Sequence, residues 1–199
     1  MRKLILFMHM SLDGYVGPAE RSSESTPADD DNPDDGVFET VVPKLTSDAD
    51  TLLLGRPVAD ELLGYWLTAE TNDPNLSSGA LAYARWATGA HKAVLSRAEE
   101  RLPWENSELL LVTNDEDMKR AVSTLKRQPG KNIVLHGGVR TAQALVRLNL
   151  VDEYQLVVHP VAQRDGGRLF KDLPNDRKLQ LLEMVQLKAG AVFLRYKPA

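Results

Sequence analysis

The sequence predicts an α/β fold. A mostly parallel mixed sheet should carry helices on both faces and close with an antiparallel hairpin at the C-terminus. Three observations lead there. Short apolar runs alternate with helical periodicities from residue 3 to residue 148. Several of these runs (LILFM, LLL, AVL, IVL) are continuously apolar, the pattern of strands buried on both faces. Beyond residue 150 the helical periodicity stops and strand-like stretches follow one another.

Taken in order, Lys3–Met10 reads as the first strand. Residues 20–36 (ERSSESTPADDDNPDDG) hold seven acidic residues against one Arg and no large apolar side chain. Such a stretch cannot bury enough surface to order itself. It is expected as a solvated, flexible surface loop, with a mobile lid beside an active site as the sharper alternative. Val37–Leu45 places Phe38, Val41, Val42 and Leu45 on one helical face. Thr51–Leu54 is a buried-type strand ending at Gly55, and Pro57 suits the first turn of a helix reaching about Leu63. Leu76–Trp86 is helical, while Lys92–Leu95 and Leu109–Val112 are strands. In Asp115–Arg127, Met118, Ala121, Val122 and Leu125 recur with helical spacing, Asn114 caps the start and Pro129-Gly130 ends the helix. Asn132–Leu135 is a strand and Val139–Leu148 a helix. Glu153–Val161, Lys178–Leu187 and Ala191–Tyr196 are strands, the last two joined by a turn at Lys188-Ala189-Gly190. With 199 residues and no internal repeat, the expectation is one domain spanning 1–199.

Composition narrows the function. Cysteine is absent, which excludes disulfides, a thiol nucleophile and Cys-ligated metals, and fits a cytoplasmic location. No apolar run approaches the roughly 20 residues of a membrane helix. Met1-Arg2-Lys3 precedes only a short apolar run with no small-residue cleavage site, so the N-terminus reads as a strand and not a signal peptide. A net charge of −4 without a basic cluster argues against nucleic-acid binding. An anionic ligand must then be held by local groups.

Such groups stand at the strand ends. In residues 132–146 (NIVLHGGVRTAQALV) an apolar strand enters Gly137-Gly138 and a helix begins at Val139. Glycines admit close backbone approach, and the first helical amides point at the same place, which suits a pyrophosphate. Arg140 and Thr141 add side-chain donors. This is not the G-x-G-x-x-G fingerprint, since the third glycine is missing. Gly55-Arg56 and Ser96-Arg97 put a guanidinium just past two further strands. Anion-friendly ends in one parallel sheet converge on one edge. The first strand breaks at Asp13-Gly14, giving a loop to Val16 and Gly17 that could cover a ligand there. The four histidines show no metal-ligand spacing, so no metal is expected. His9 and His159 read as strand-face residues, and His136 alone adjoins the paired glycines.

These elements, in this order, resemble the dihydrofolate reductase-like superfamily. They are most similar to the family built on the C-terminal reductase domain of the bacterial riboflavin-synthesis enzyme, the RibD C-terminal domain. The resemblance rests on MSLDGYVG at 10–17, LLLGR at 52–56, VLSR at 94–97, HGGVRT at 136–141, LVDEYQLVVHPV at 150–161, GGRLF at 166–170 and FLRY at 193–196. It implies an NADPH-dependent reductase acting on a small pyrimidine- or pteridine-like molecule, with riboflavin biosynthesis as one setting. Gly137, Gly138, Val139, Arg140 and Thr141 would hold the pyrophosphate. Gly55, Arg56, Ser96 and Arg97 would lie toward the adenosine end, and Val16 and Gly17 near the nicotinamide. Glu39, on the first helix, would take the place of the proton-donating carboxylate of folate reductases, with Asp13 a second candidate. Two departures are His136, where riboflavin-pathway reductases commonly carry an acid, and Pro57, where related sequences often have a polar residue. A cysteine-free chain has no zinc deaminase half. A folate or xenobiotic reductase, or an NADP-binding module without turnover, are the other readings. The resembling family usually dimerises, and the β-branched Val151–Val161 stretch is a candidate two-fold surface, so a homodimer is expected.

Overall fold

The computed structural model describes residues 1–16, 35–136, 138–163 and 166–199. The acidic stretch up to residue 34 therefore lies outside the described residues, as do Gly17, Gly137, Arg164 and Asp165. In chain order, β1 (Leu4–Ser11) and β2 (Tyr15–Val16) precede α1 (Val37–Thr40) and α2 (Val42–Ser47). Next come β3 (Ala49–Gly55), α3 (Arg56–Trp66), α4 (Ala69–Asn72), α5 (Ser78–Gly89) and β4 (His91–Ser96). β5 (Ser107–Leu111), α6 (Asp115–Arg127), β6 (Asn132–His136), α7 (Val139–Arg147) and β7 (Glu153–His159) follow. β8 (Gly167–Arg168), β9 (Leu179–Gln186) and β10 (Val192–Pro198) complete the described chain.

The main sheet has the order β5-β4-β3-β6-β1-β7-β10-β9. Pairings from β5 through to β7 are parallel, and β10 runs antiparallel to both β7 and β9. This is the mostly parallel mixed sheet with a terminal antiparallel hairpin that the sequence predicts. β2 and β8 form a separate two-stranded sheet.

The central strands have two buried faces, which explains their continuous apolar runs. Leu4, Leu6 and Met8 of β1 join Val122 and Leu125 of α6 and Leu145 of α7 on one side. Ile5 and Phe7 join Leu45 of α2, Leu63 of α3 and Tyr83 of α5 on the other. Leu63 and Leu125 are 0% and 1% exposed. Burying each such side chain contributes about 1.5–3 kcal/mol. Among the described residues, no helix is long and apolar enough to cross a membrane.

Local chemistry sets the departures from expectation. The helix expected over 37–45 is broken at Val41 because Pro43, in the first turn of α2, has no N–H to continue the ladder. α3 begins at Arg56, with Gly55 extended before it. β7 stops at His159, before Pro160. It also lies between β1 and β10, so it offers no free strand edge to a second chain. The open edge of the hairpin is β9, where Leu181, Leu182 and Met184 are exposed.

Candidate functional site

Because β4, β3, β6, β1 and β7 are adjacent and parallel, their carboxyl ends line one edge of the sheet in the order Ser96, Gly55, His136, Ser11, His159. Two chemically different groups of residues share that edge.

The first is a cradle of backbone. Gly138 takes φ 81°, a left-handed conformation that favours glycine, and caps α7 without a side-chain bond. The first helical bond runs from Ala142 N–H to the Gly138 carbonyl, so the amides of Val139, Arg140 and Thr141 have no acceptor within the helix. A Cβ on Gly138 would press on Val58, and one on Gly55 would overlap the Thr141 hydroxyl. The β3–α3 and β6–α7 junctions therefore touch. Gly167 is equally tight against Val139, and Val16 pairs with Gly167 across β2 and β8. Val16, Gly55, Gly138, Val139 and Thr141 are thus brought together, with Arg140 exposed at the rim. Gly17 and Gly137 lie outside the described residues.

Toward β4 the cradle meets a charged network. The Arg56 guanidinium pairs with Asp60, one turn on, and with Glu100 at 2.9 Å. It also lies 5.3 Å from the centroid of the Trp104 ring. Hydrogen bonds to the two carboxylates raise its pKa. The buried Ser96 hydroxyl accepts from Ala98 N–H at 3.1 Å and lies 3.1 Å from Glu100 Oε1, steadying that carboxylate. Arg97 is exposed. Sequence reasoning found the basic groups here but not Glu100, one carboxylate in a polar loop.

The second group is a cluster of titratable side chains. His9 and His159 lie on one face of the β1–β7 pair: His9 is opposite Val157, and His159 stands two residues further on. Their Nδ1 and Nε2 atoms are 2.9 Å apart. Asp35 Oδ2 approaches His9 Nδ1 to 4.0 Å, and the Asp35 side chain is only 7% exposed. Asp35 is set firmly: Val37 N–H donates to its Oδ1 at 2.9 Å, and Lys188 N–H donates to its carbonyl at 2.9 Å. On the neighbouring strand, His136 Nδ1 lies 2.7 Å from the hydroxyl of the buried Tyr83. The Phe7 ring packs against both His9 and His136.

Burial decides the charge states. It pushes His9 down to about 4, with the second imidazole adding to the effect and Asp35 opposing it. It pushes His136 down to about 3, with His9 contributing in the same direction. It raises Tyr83, so the phenol keeps its proton. Tyr83 and His136 therefore share this hydrogen bond as two neutral groups.

The two acids singled out in the sequence are placed elsewhere. Glu39 is exposed on α1 and accepts a hydrogen bond from Ser77 Oγ at 2.9 Å. Asp13 is exposed and accepts from Ser11 Oγ at 2.6 Å and Gln163 N–H at 3.1 Å. The Ser11 bond holds its carboxyl below the usual carboxylate range, so it shapes the turn as an anion and is no proton donor at neutral pH. The carboxylate beside the histidines is Asp35, hidden in the sequence at the end of an acidic run. The signal available for His9 and His159 was their place near the carboxyl ends of two predicted strands. A cavity of about 70 Å³ lies toward the opposite ends of β1 and β7, where Lys44, Glu153, Glu183 and Arg195 pair with one another.

Comparison with known proteins agrees with this architecture. The model of the RibD C-terminal domain matches residues 2–193. The uncharacterized protein YyaP of Bacillus subtilis is 27% identical over 195 residues, covering 98% of this chain and 94% of YyaP. The crystal structure of a putative riboflavin biosynthesis protein from Shewanella sp. PV-4 superposes with a TM-score of 0.65 at 20% identity, covering 99% of each chain. Dihydrofolate reductase from Enterococcus faecalis, solved with NADP(H), superposes with a TM-score of 0.57 at 12% identity, covering 98% of this chain and 96% of the reductase. The dihydrofolate reductase-like fold follows.

Proposed function

The chain belongs to the RibD C-terminal domain family, and from that premise we propose that it is an NADPH-dependent reductase of a pyrimidine- or pteridine-like heterocycle. The observation that carries this reading is the placement of a phosphate-shaped cradle and a histidine–carboxylate cluster on adjacent strands of one sheet edge. Side chains at Gly55 and Gly138 would collide with Thr141 and Val58, so the glycines let the β3–α3 and β6–α7 turns close on each other and bring the free α7 amides beside Gly55.

Bound there, the nicotinamide would supply a hydride. The amides of Val139, Arg140 and Thr141 and the Arg140 side chain would hold the pyrophosphate, joined by Gly137. Arg56, Ser96 and Arg97 would face the adenosine end. On the other half of the edge, Asp35 and His9 would carry the proton that accompanies the hydride to the substrate. Asp35 takes the part that the resemblance gave to Glu39, since it alone of the two stands beside the histidines. A ribosylamino-pyrimidine phosphate is the first substrate to offer. The assembly we infer is a homodimer, with the exposed apolar residues of β9 as its surface.

The test is calorimetric titration with NADPH and NADH, with an Arg97→Ala variant alongside. Selective NADPH binding that the variant loses supports the cofactor assignment. NADPH oxidation on adding 5-amino-6-ribosylaminouracil phosphate or dihydrofolate would then separate the substrate classes. Binding of neither nucleotide would refute the reading, and binding without any turnover would leave a nucleotide-binding module.

A further inference from the structure

His9, His159 and Asp35 come from β1, the end of β7 and the start of the α1 segment, positions far apart in sequence. One ligand atom from each lies within 4.8 Å of the other two. We propose that these three side chains form a binding site for one divalent transition-metal ion of the zinc class.

The geometry is close to what such an ion needs. Bonds of about 2.0–2.2 Å to nitrogen and oxygen put tetrahedral ligand atoms roughly 3.4 Å apart. His9 Nδ1 and His159 Nε2 are 2.9 Å apart, and His9 Nδ1 and Asp35 Oδ2 are 4.0 Å apart, so the two spacings bracket that value. The third pair, Asp35 and His159, has ligand atoms within 4.8 Å.

The ligand set selects the ion class. Two imidazoles and one carboxylate suit zinc and neighbouring transition metals, whereas magnesium and calcium favour all-oxygen shells. Three protein ligands leave at least one coordination position open. The supports are also in place. The Val37 amide holds Asp35 Oδ1 while Oδ2 lies 4.0 Å from His9 Nδ1, and the strand register puts both imidazoles on one face of the sheet. The metal site does not rest on the chain being a reductase, and an ion bound there would displace the proton that Asp35 and His9 carry in the proposed reduction, so the two roles exclude each other at any one time.

The experiment titrates zinc into the chelator-stripped full chain by calorimetry, in a His91→Ala background. That substitution removes the surface pair of His91 with Glu108, at 3.1 Å the obvious adventitious zinc ligand. One ion per chain is expected, and His9→Ala, His159→Gln and Asp35→Asn should each weaken binding by tenfold or more. Cobalt(II) supplies a readout that needs no variant: the imidazole proton resonances of His9 and His159 should show large paramagnetic shifts at one equivalent. Absence of stoichiometric uptake would overturn the site. So would uptake that survives a His9→Ala/His159→Gln double substitution, or cobalt shifts confined to other histidines.

Discussion

The Thr141 hydroxyl occupies the space that a side chain on Gly55 would need, so the strand β3 and the first turn of α7 are in direct contact. One substitution can therefore disturb the cradle without touching a charge. Gly55→Ala should cost about 1–3 kcal/mol of stability from overpacking. It should also weaken NADPH binding by displacing the α7 amides. Thermal denaturation and a nucleotide titration of the same variant check both. A normal melting temperature with normal affinity would show that the contact yields without consequence.

Asp35→Asn should lower turnover by about 100-fold or more if this carboxylate supplies the proton, since general acids are worth that much. NADPH affinity should stay unchanged. Glu39→Gln should alter turnover less than twofold, because Glu39 is exposed and bonded to Ser77. Steady-state kinetics on the two variants distinguishes the carboxylate that the sequence suggested from the one that the fold delivers.

Glu100→Gln should release Arg56 from half of its ion-pair partnership. A freed guanidinium is a better partner for a 2′-phosphate. The variant should bind NADPH several-fold more tightly relative to NADH, measured by competitive titration. An unchanged ratio would place the 2′-phosphate away from Arg56.

Acid should unfold the metal-free protein through its histidines. His136 titrates at about 3 in the folded chain and at 6.5 when unperturbed, so the unfolded state binds the proton first. The stability that a neutral His136 contributes is full above pH 6.5 and falls away as the pH drops toward 3. The slope approaches about 1.4 kcal/mol per pH unit for each such group. Urea unfolding from neutral pH down to about 4 should show this loss, His9 adding to it until its own folded value is reached. His136→Gln should flatten the curve.

Met184 is 67% exposed on the open edge strand, beside Leu181 and Leu182. Met184→Lys should convert the inferred dimer to a monomer, read by sedimentation, and leave the fold intact because edge charges block strand pairing. A monomeric parent chain would remove the dimer from the account.

What could be read in advance depended on how local the cause was. The helix Asp115–Arg127 is bounded by a cap and a stop within its own few residues, and the structure has it with the same limits. Gly55-Arg56 and Gly138 to Thr141 were visible as strand ends, because a glycine after an apolar run is a local signal. The break at Val41 was also written locally, in Pro43. β2 and β8 were not, since two-residue strands carry no periodicity. The meeting of His9, His159 and Asp35 depends on the β1–β7 register and on the Lys188 bond to Asp35, both long-range pairings that no window of sequence contains.

The place of β1 in the middle of the sheet also governs when this chain can finish folding. When β1 leaves the ribosome neither of its partners is yet made: Leu4 pairs with Ile133, and Ile5 with Glu153. Until β6 and β7 emerge, an apolar strand must wait with both edges open. Such non-local pairing slows folding and exposes sticky surface in the interval. A nascent chain halted before β6 cannot assemble either half of the strand-end site, so both halves wait for the β6 and β7 segments to be made.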